Sequence, residues 1–438
     1  MVTVEFCCDN GCEYIIGGNV VIFGEEGNNF SIILPRLEKY KKLRSFVENY
    51  LEETITIWRI IMKTKIESFN CLMNISVFLG LFMFLIAGSV MAEDFNLDEL
   101  IKSAKTESGI TIYSSTSKIK KAAKAFTKKY GIEAVGTKIK GAAQIEAVVR
   151  EAQSGNIVGD VIISSDAGAT LAQLLGSDMV SSWTPPDQAA TINDLSKDPL
   201  VVWRDPSVWS FNNENTDVCP VNNIWELAGE KWNRRVALSD PLRYPSLPDW
   251  FNQMETHWDD QIASAYKAHF GSDIDRSEMS ATKQWVKAIA KNAPLLVGSH
   301  SKIAEAVGTQ GQENPFFGIL SSAKFRDVGE GGLKMAICKD IQPYIGYYKP
   351  GFGLIANGTD SPNASKLFLH FMMTEEGVGP MTRDGKMSGN NAVPAHPEEL
   401  SGVVPLKGRL TPHIAETGGD DFDKRQDWQD FWRIYYSR

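Results

Sequence analysis

The sequence predicts an α/β protein built from two successive sets of alternating strands and helices. In the first set, strand-forming residues alternate from Ile110 to Leu175 with segments whose apolar residues recur at helical spacing. The pattern then gives way to a stretch rich in Pro, Asn and Asp, after which strands and helices resume. A strand, helix, strand order of this kind implies mainly parallel sheets with helices on both faces.

The first set begins with a strand at residues 110–113, followed by a helix over 118–130 that Gly131 is placed to end. The stretch IEAVGTKIKG predicts a second strand, AAQIEAVVREAQSG a second helix, and GDVIISSDAG a third, buried strand. Small polar or cationic residues follow all three strands, at 114–117, 138–141 and 164–166. Because the carboxyl ends of parallel strands meet at one edge of a sheet, we expect these loops to form a binding rim.

A crossover to a second lobe is predicted at a strand over residues 201–211. The segment RRVALSDPLRYPS then predicts a strand ending at Ser239 and Asp240, and PLLVGSHSKIAEAVG and FFGILSSAKF repeat the order of strand, hydroxyl residues and helix. Helices are also predicted over about 247–270 and 280–291. The final stretch, DKRQDWQDFWRIYYSR, predicts an aromatic helix that packs against the protein and is not a free tail.

Composition and motifs exclude several classes of function. The 438-residue chain has a net charge of −9, which argues against a nucleic-acid-binding surface and requires any anion site to be a local pocket. The six His residues form no zinc-binding pattern, and GPMTRDGKM departs from a phosphate-loop motif in its spacing and in its final Met. The sequence therefore predicts no enzyme, no metal site and no cofactor.

An export signal is predicted at residues 62–92. Lys63 and Lys65 give it a basic start, an apolar stretch runs from about Ile75, and small residues stand at its end. We expect cleavage after Ala92 and a periplasmic location, with an uncleaved membrane anchor as the alternative. No Cys follows the apolar stretch, so a lipoprotein signal is not expected.

Residues 1–61 precede this signal and share no periodicity with the rest of the chain. An over-extended start codon is the preferred interpretation, with a cytoplasmic extension as the alternative, and the fold prediction leaves these residues out. After Ala92 the chain has two cysteines, Cys219 and Cys338, which an oxidising compartment can join. The sequence does not decide whether the two cysteines form a disulfide, because it does not show how far apart they lie in the folded protein.

Three segments resemble the periplasmic substrate-binding proteins of ABC importers, in the branch of ferric-iron, phosphonate, sugar-phosphate and polyamine binders. They are GITIYSSTSKIKKAAKAFTKKYGIEAV, IEAVVREAQSGNIVGDVIISSDAGATLAQL and GLIANGTDSPNASKLFLHFMMTEEG. The resemblance covers about residues 105–400 and implies two α/β lobes, joined by hinge strands, that close on a solute. It also implies a monomer that presents its solute to a permease in the inner membrane. The lobe limits it implies are 93–205 with about 345–390, and 206–344 with about 391–438.

The ferric-iron ligands of this family do not carry over to this sequence. The first-loop His or Tyr of the ferric branch would fall near Ser117, its Glu near Ala143, and its adjacent Tyr pair near Ala323 and Lys324. None of these residues offers the anionic oxygen that Fe(III) prefers. The Tyr pair at 347–348 is a candidate replacement, but it lies in the predicted return strand of the hinge and is interpreted as structural. Ferric iron, with a synergistic anion contributing ligands, is kept as the alternative solute.

The predicted rim instead favours a phosphate, phosphonate or carboxylate group. Ser, Thr and Gly at helix amino ends offer hydroxyl and N–H donors, and Lys, Arg or His nearby add charge. Each helix end contributes about 0.3–1 kcal/mol, so several must converge to approach the roughly 8 kcal/mol of a micromolar solute. The candidate ligand-binding residues are Ser114, Ser115, Thr116, Ser117, Lys140, Gly141, Ser164, Ser165, Asp166, Ser239, Asp240, Arg243, Ser299, Ser321, Ser322 and Lys324, with His300 nearby.

Most of these candidates also have a purely structural interpretation. One hydroxyl in residues 114–117 can cap the following helix, and Asp166 and Asp240 can cap turns. Lys324 and Arg243 can be ordinary surface charges. Stacking on a ligand, with core packing as the alternative, is considered for three aromatic residues, Trp203, Trp209 and Tyr244.

Two other functions are also compatible with the sequence. An exported phosphatase or other hydrolase on a similar scaffold would need a base or metal cluster, and no such cluster is evident in the sequence. A binding protein that hands its signal to a membrane receptor would look the same in sequence. The neighbouring genes distinguish this last function from transport, because an importer is encoded beside a permease and an ATPase.

Overall fold

The computed structural model describes residues 95–329 and 332–436, together with three short strands nearer the start of the chain. The chain divides into two compact units, Met1–Asp94 and Phe95–Arg438. In the first unit, β1 (Tyr14–Ile16), β2 (Val20–Glu25) and β3 (Asn29–Ile33) form an antiparallel sheet in the order β1-β2-β3. The predicted export signal at 62–92 lies outside the described residues.

The second unit is built on one sheet of twelve strands, with a main path ordered β10-β9-β11-β8-β13-β6-β4-β5. The four remaining strands, β7, β12, β14 and β15, pair beside β8 or β13. The strands are β4 (Ile110–Ser114), β5 (Ala134–Lys138), β6 (Val161–Ser164), β7 (Val180–Ser182), β8 (Val201–Phe211), β9 (Val236–Ser239), β10 (Leu295–Val297), β11 (Phe317–Ser321), β12 (Ala336–Ile337), β13 (Gly346–Ala356), β14 (Met387–Ser388) and β15 (Leu410–Thr411).

Two long strands in the middle of the sheet join two lobes. Strands β8 and β13 have 11 residues each and pair antiparallel from Gly346↔Val208 to Phe352↔Val201. On one side of them, β4, β5 and β6 pair in parallel, and on the other side β9, β10 and β11 do so. The prediction of a two-lobed α/β fold with mainly parallel sheets and hinge strands is therefore confirmed.

Helices cover both lobes. The helices are α1 (Leu97–Ala104), α2 (Ile119–Tyr130), α3 (Ala142–Ser154), α4 (Ala167–Ala169), α5 (Ser246–His257), α6 (Asp259–Phe270), α7 (Ala281–Lys291), α8 (His300–Gly308), α9 (Arg326–Gly329), α10 (Pro362–Met372), α11 (Glu375–Thr382), α12 (Gly418–Asp423) and α13 (Arg425–Tyr435). No helix among the described residues is both long and apolar enough to cross a membrane.

Local sequence explains most of these boundaries. In α2 four apolar residues at helical spacing, Ile119, Ala122, Ala123 and Phe126, are buried, and Gly131 ends the helix with φ of 75°, a conformation that favours glycine. The range predicted to be helical, 247–270, holds two helices, because the chain breaks at Trp258 and a new helix begins with the acidic pair Asp259 and Asp260. After β6, where Leu171, Leu174 and Leu175 recur at helical spacing, the chain forms a single turn of α-helix followed by a π-helical turn, Thr170–Leu175.

Each lobe has its own buried core. One core extends from β8 through the second lobe to the end of the chain and includes Trp209, Trp285 and Trp432. Two smaller cores in the first lobe form around Phe126 and Phe352. Because Trp428 and Trp432 of α13 are buried, the prediction of a packed aromatic helix at the end of the chain is confirmed.

A disulfide joins Cys219 to Cys338, whose Cα atoms lie 5.2 Å apart. Cys338 follows β12 and is fully buried, and both cysteines pack with the core of the second lobe. The sequence did not decide whether these two cysteines are joined, because 119 residues separate them in the chain.

Candidate functional site

A cavity of about 710 Å³ lies between the two lobes. The first lobe contributes the loops that follow β4, β5 and β6, and the second lobe contributes the loops that follow β9 and β10. Residues 347–350 of the hinge strand β13 form part of its wall, and residues of α12 and α13 form another part. Ligands of open α/β sheets bind at such an edge, outside the carboxyl ends of the strands.

Half of the predicted ligand-binding residues line this cavity. The Oγ atoms of Ser115 and Ser165 lie 3.3 Å apart across the first lobe, so the loops after β4 and β6 do meet. The predicted residues that line the cavity are Ser115, Lys140, Gly141, Ser165, Asp166, Ser239, Arg243 and Ser299.

Four predicted serines do not reach the cavity, because they lie inside the protein. Ser114 and Ser164 are fully buried, and Ser164 Oγ accepts a hydrogen bond of 2.6 Å from Thr170 Oγ1. Ser322 Oγ donates to the carbonyl oxygen of Gly385 over 2.7 Å. Ser321 Oγ donates to Asp205 Oδ1 over 3.0 Å and therefore positions a cavity residue without lining the cavity itself.

Four further predicted residues lie outside the cavity lining. Asp240 accepts a hydrogen bond from the N–H of Leu242, which is the turn-capping role considered for it. Thr116 Oγ1 accepts in the same way from the N–H of Lys118, and Ser117 is exposed. Lys324 is half-buried, and burial together with the nearby charge of Arg326 lowers its pKa.

Some of the aromatic residues pack in the cores, and others line the cavity wall. Trp203 and Trp209 are fully buried in the cores, so packing is their role. Tyr244 lines the cavity and donates a hydrogen bond of 2.5 Å to the carbonyl oxygen of Gly298. Tyr347 also lines it and stacks on Trp250 with ring centres 4.6 Å apart.

Three of the four acidic side chains that line the cavity are already paired. Asp205 of β8 pairs with Lys386 at 2.6 Å. Although burial opposes ionisation, the charges of Lys386 and Lys349 hold the pKa of Asp205 below its ordinary value. Asp166 and Asp249 both pair with the guanidinium of Arg425. Among the described residues, only the exposed Asp423 lines the cavity without an ion pair.

Three lining cations, in contrast, form no ion pair among residues 95–329 and 332–436, although Lys349 lies opposite Asp205, which pairs with Lys386, in the neighbouring strand. They are Lys140 at the start of α3, Arg243 after β9, and Lys349 in the hinge strand β13. The Arg425 cluster carries one more carboxylate than guanidinium, so the cavity is not uniformly positive. Attraction for an anion is therefore concentrated where these three side chains face the cavity.

Three helices begin at the cavity, and their first-turn N–H groups are potential donors. Helix α3 follows Gly141, and neither α3 nor α5 has a side chain capping its first turn. Helix α8 begins at His300 after Ser299, which caps it by accepting from the N–H of Lys302. The amino end of a helix favours negative charge, so these three helix ends strengthen the attraction that the three cations exert on an anion.

His300 contributes a neutral donor. Its Nδ1 accepts a hydrogen bond of 3.0 Å from the N–H of Ser321, which places the ring proton on Nε2. Burial and the neighbouring charge of Lys349 lower the pKa of His300 to about 3. The ring is therefore uncharged at neutral pH and offers Nε2–H as a hydrogen-bond donor.

The tyrosines of the cavity are poorly suited to bind a metal ion as anions. Burial raises the pKa of Tyr347 to about 12, and burial also raises the pKa of Tyr348, whose ring lies 5.8 Å from the guanidinium of Arg204. No group of three or more His, Cys, Asp or Glu residues in the described part of the chain could hold a metal ion.

Several cavity residues were not among the predicted ligand-binding residues. Asp205 and Lys349 lie in the two hinge strands, where the signal was a charge within an otherwise apolar run, as in VVWRDPSVWSF and GYYKPGFGLIA. Asp249 lies on a helix, α5, and Arg425 lies on α13 near the end of the chain. No local pattern marks Arg425, because only the folded chain brings α13 to the cavity.

The protein thus has the two-lobed α/β fold, with a cavity between the lobes. The chain belongs to the bacterial extracellular solute-binding protein family, whose model matches residues 110–385. It is thus a solute-binding protein of the ABC transporter class, which is a class of transport proteins and not of enzymes. No curated protein sequence matches it.

Solved structures show the same fold at low sequence identity. Iron-bound HitA from Pseudomonas aeruginosa has a TM-score of 0.54 and 13% identity, covering 74% of this chain and 99% of that one. The ferric binding protein from Campylobacter jejuni has a TM-score of 0.55 and 17% identity, with coverages of 74% and 99%. AfuA from Actinobacillus pleuropneumoniae, with fructose-6-phosphate bound, has a TM-score of 0.53 and 18% identity, with coverages of 75% and 98%.

Proposed function

We propose that this protein captures a small anionic solute bearing a phosphate, phosphonate or carboxylate group and delivers it to an ABC permease. The observation that carries the proposal is the group of three cations, Lys140, Arg243 and Lys349, that line one interlobe cavity and form no ion pair among the described residues. Three helix amino ends and the neutral donor His300 support the same ligand chemistry. AfuA, a similar fold with a sugar phosphate bound, provides a precedent.

We also propose the cellular setting of this function. The export signal at 62–92 is cleaved after Ala92, and the mature protein acts as a monomer in the periplasm without a cofactor. The lobe limits are those implied by the sequence, 93–205 with about 345–390 and 206–344 with about 391–438. The location of β8 and β13 in the middle of the sheet supports these limits.

Ferric iron is the second candidate solute. Two similar structures are ferric-binding proteins, and three tyrosines, Tyr244, Tyr347 and Tyr348, line the cavity. Iron binding would require tyrosinate oxygens, whereas the Tyr244 hydroxyl donates to a backbone carbonyl and burial disfavours ionisation of the other two. These contacts favour the organic anion over iron.

Arg243→Gln and Lys349→Gln are each expected to weaken anion binding by about 10- to 100-fold. A hydrogen bond to a charged group contributes about 1.5–3 kcal/mol, and each tenfold change in affinity corresponds to about 1.4 kcal/mol. Native mass spectrometry of the protein from Glu93 onward would first identify any solute that co-purifies. Calorimetric titration with that solute, or with inorganic phosphate and a panel of sugar phosphates and carboxylates, would then measure the loss.

Lys334→Gln is the matched control, because Lys334 is exposed and does not line the cavity. It is expected to bind the anion as the unchanged protein does. Equal affinity in all three variants would remove the basis of the anion proposal. Stoichiometric iron with a visible tyrosinate absorption band would instead establish the ferric alternative.

A further inference from the structure

A second, much smaller cavity of about 40 Å³ lies beside hinge strand β8, apart from the ligand cavity. Three cations line it, namely Arg204 of β8, Lys386 just before β14, and Lys407 of the 3₁₀ turn Val404–Arg409. Thr382 and Asn391 add a hydroxyl and an amide, and no Asp or Glu is among the lining residues. A cavity lined in this way is suited to a negative charge.

Arg204 is the central feature of this cavity. Its side chain donates to the carbonyl oxygens of Ser388 over 3.0 Å and Gly389 over 3.4 Å, and to Ser196 Oγ over 3.3 Å. The residue is only 8% exposed, and no ion pair joins it to an Asp or Glu within the described ranges. A buried charge is costly unless it is paired, so this guanidinium has hydrogen-bond acceptors but lacks a counter-ion.

The other two cations differ in how their charge is balanced. Lys386 pairs with Asp205 at 2.6 Å, so its charge is already compensated. Lys407 is exposed and has no acidic partner among residues 95–329 and 332–436. The uncompensated positive charge around the cavity therefore belongs to Arg204 and Lys407.

We propose that this cavity binds one small inorganic anion of about the size of chloride between Arg204 and Lys407. The volume favours a small ion, because the cavity offers about 40 Å³ and a single water molecule needs about 10–15 Å³ of such space. The anion would supply the counter-charge that Arg204 lacks. It would also connect the hinge strand β8 to the turn at 404–409, so it would stabilise the folded protein.

The experiment is thermal unfolding of the purified protein in sodium chloride against sodium gluconate at constant ionic strength. Chloride is expected to raise the midpoint temperature in a saturable manner by about 1–3 °C between 1 and 100 mM. Lys407→Gln, which changes an exposed residue, should reduce this shift by at least half without impairing folding. Arg204→Gln should abolish it.

Two matched variants separate this site from general salt effects and from the ligand cavity. Arg409→Gln removes an arginine that, like Arg204, donates to two backbone carbonyl oxygens but does not line the cavity, and this variant should keep the full chloride shift. Arg243→Gln alters the ligand cavity and should keep it as well. Crystals grown with bromide should show an anomalous peak beside Arg204.

The proposal is overturned if chloride and gluconate give the same midpoint in the unchanged protein. It is also overturned if Lys407→Gln retains the whole chloride shift, or if crystals in bromide show a water molecule beside Arg204 and no anomalous peak.

Discussion

Replacing Arg425 with methionine is expected to lower the free energy of unfolding by about 3–5 kcal/mol, the range found when one partner of a buried ion pair is removed. Nε and Nη2 of Arg425 donate to the two carboxylate oxygens of Asp249 over 2.6 and 2.7 Å, and Nη2 also donates to Asp166. Side-chain exposure is only 14% for Arg425 and 10% for each aspartate. Without the guanidinium, two buried carboxylates would face each other with no cation between them.

The position of this cluster gives it a consequence for the movement of the lobes. Asp166 follows β6 of the first lobe, Asp249 belongs to α5 of the second lobe, and Arg425 at the start of α13 holds both at the wall of the ligand cavity. The cluster thus stabilises the observed arrangement of the two lobes. Arg425→Met should therefore also increase hydrogen exchange in α12 and in the loop after β6.

Urea unfolding followed by tryptophan fluorescence would measure the loss of stability in Arg425→Met. Arg433→Met is the control on the same helix, because Arg433 pairs with Asp430 at the surface and such pairs contribute about 0–1 kcal/mol. The double variant Asp249→Asn with Arg425→Met should lose less than the sum of the two single changes. A loss below about 1 kcal/mol in Arg425→Met would show that the cluster does not stabilise the fold.

The sequence was most informative where a strand and the helix after it are close along the chain. The loops after β4, β5 and β6 were predicted to form a rim, and Ser115, Lys140 and Ser165 do line one cavity. Strand direction and helix capping are local properties, which is why they can be predicted without knowledge of distant contacts.

Side-chain direction within those loops was harder to predict. Ser114 is the last residue of β4 and lies on the same face of the strand as the buried Ile112, whereas Ser115, one residue later, reaches the cavity. Successive residues of a strand point to opposite faces, so one residue separates a core position from a position at the cavity. The sequence-based prediction treated the four consecutive residues 114–117 as equivalent ligand-binding candidates. It therefore included three residues, Ser114, Thr116 and Ser117, that do not line the cavity.

The charge pairs of the cavity could not be predicted, because their partners are far apart in the chain. Asp205 meets Lys386, and Asp166 meets Arg425, only after the hinge strands and α13 have folded. Without these pairs the sequence cannot show which acidic residues are neutralised and which cations remain available to a ligand. The same argument applies to the disulfide, whose partners are 119 residues apart.

Loss of the Cys219–Cys338 disulfide is expected to lower the free energy of unfolding by about 2–5 kcal/mol, the range found for native disulfides. The bond closes a loop of 119 residues that includes the strands β9 to β12 and five helices of the second lobe, α5 to α9. In the chain-entropy account, a loop of about 100 residues corresponds to roughly 4.7 kcal/mol of constraint on the unfolded chain. The expected loss is therefore near the upper end of this range.

Urea unfolding of the protein from Glu93 onward, with and without dithiothreitol, would measure this loss without other cysteines, because Cys219 and Cys338 are the two that follow Ala92. Reduction keeps both sulfur atoms in place, whereas Cys219→Ala with Cys338→Ala also removes the buried sulfur of Cys338. The alanine pair should therefore be less stable than the reduced protein by about 1 kcal/mol or more. Identical midpoints for the oxidised and reduced protein would mean that folding alone holds the two cysteines together and that the covalent bond adds nothing.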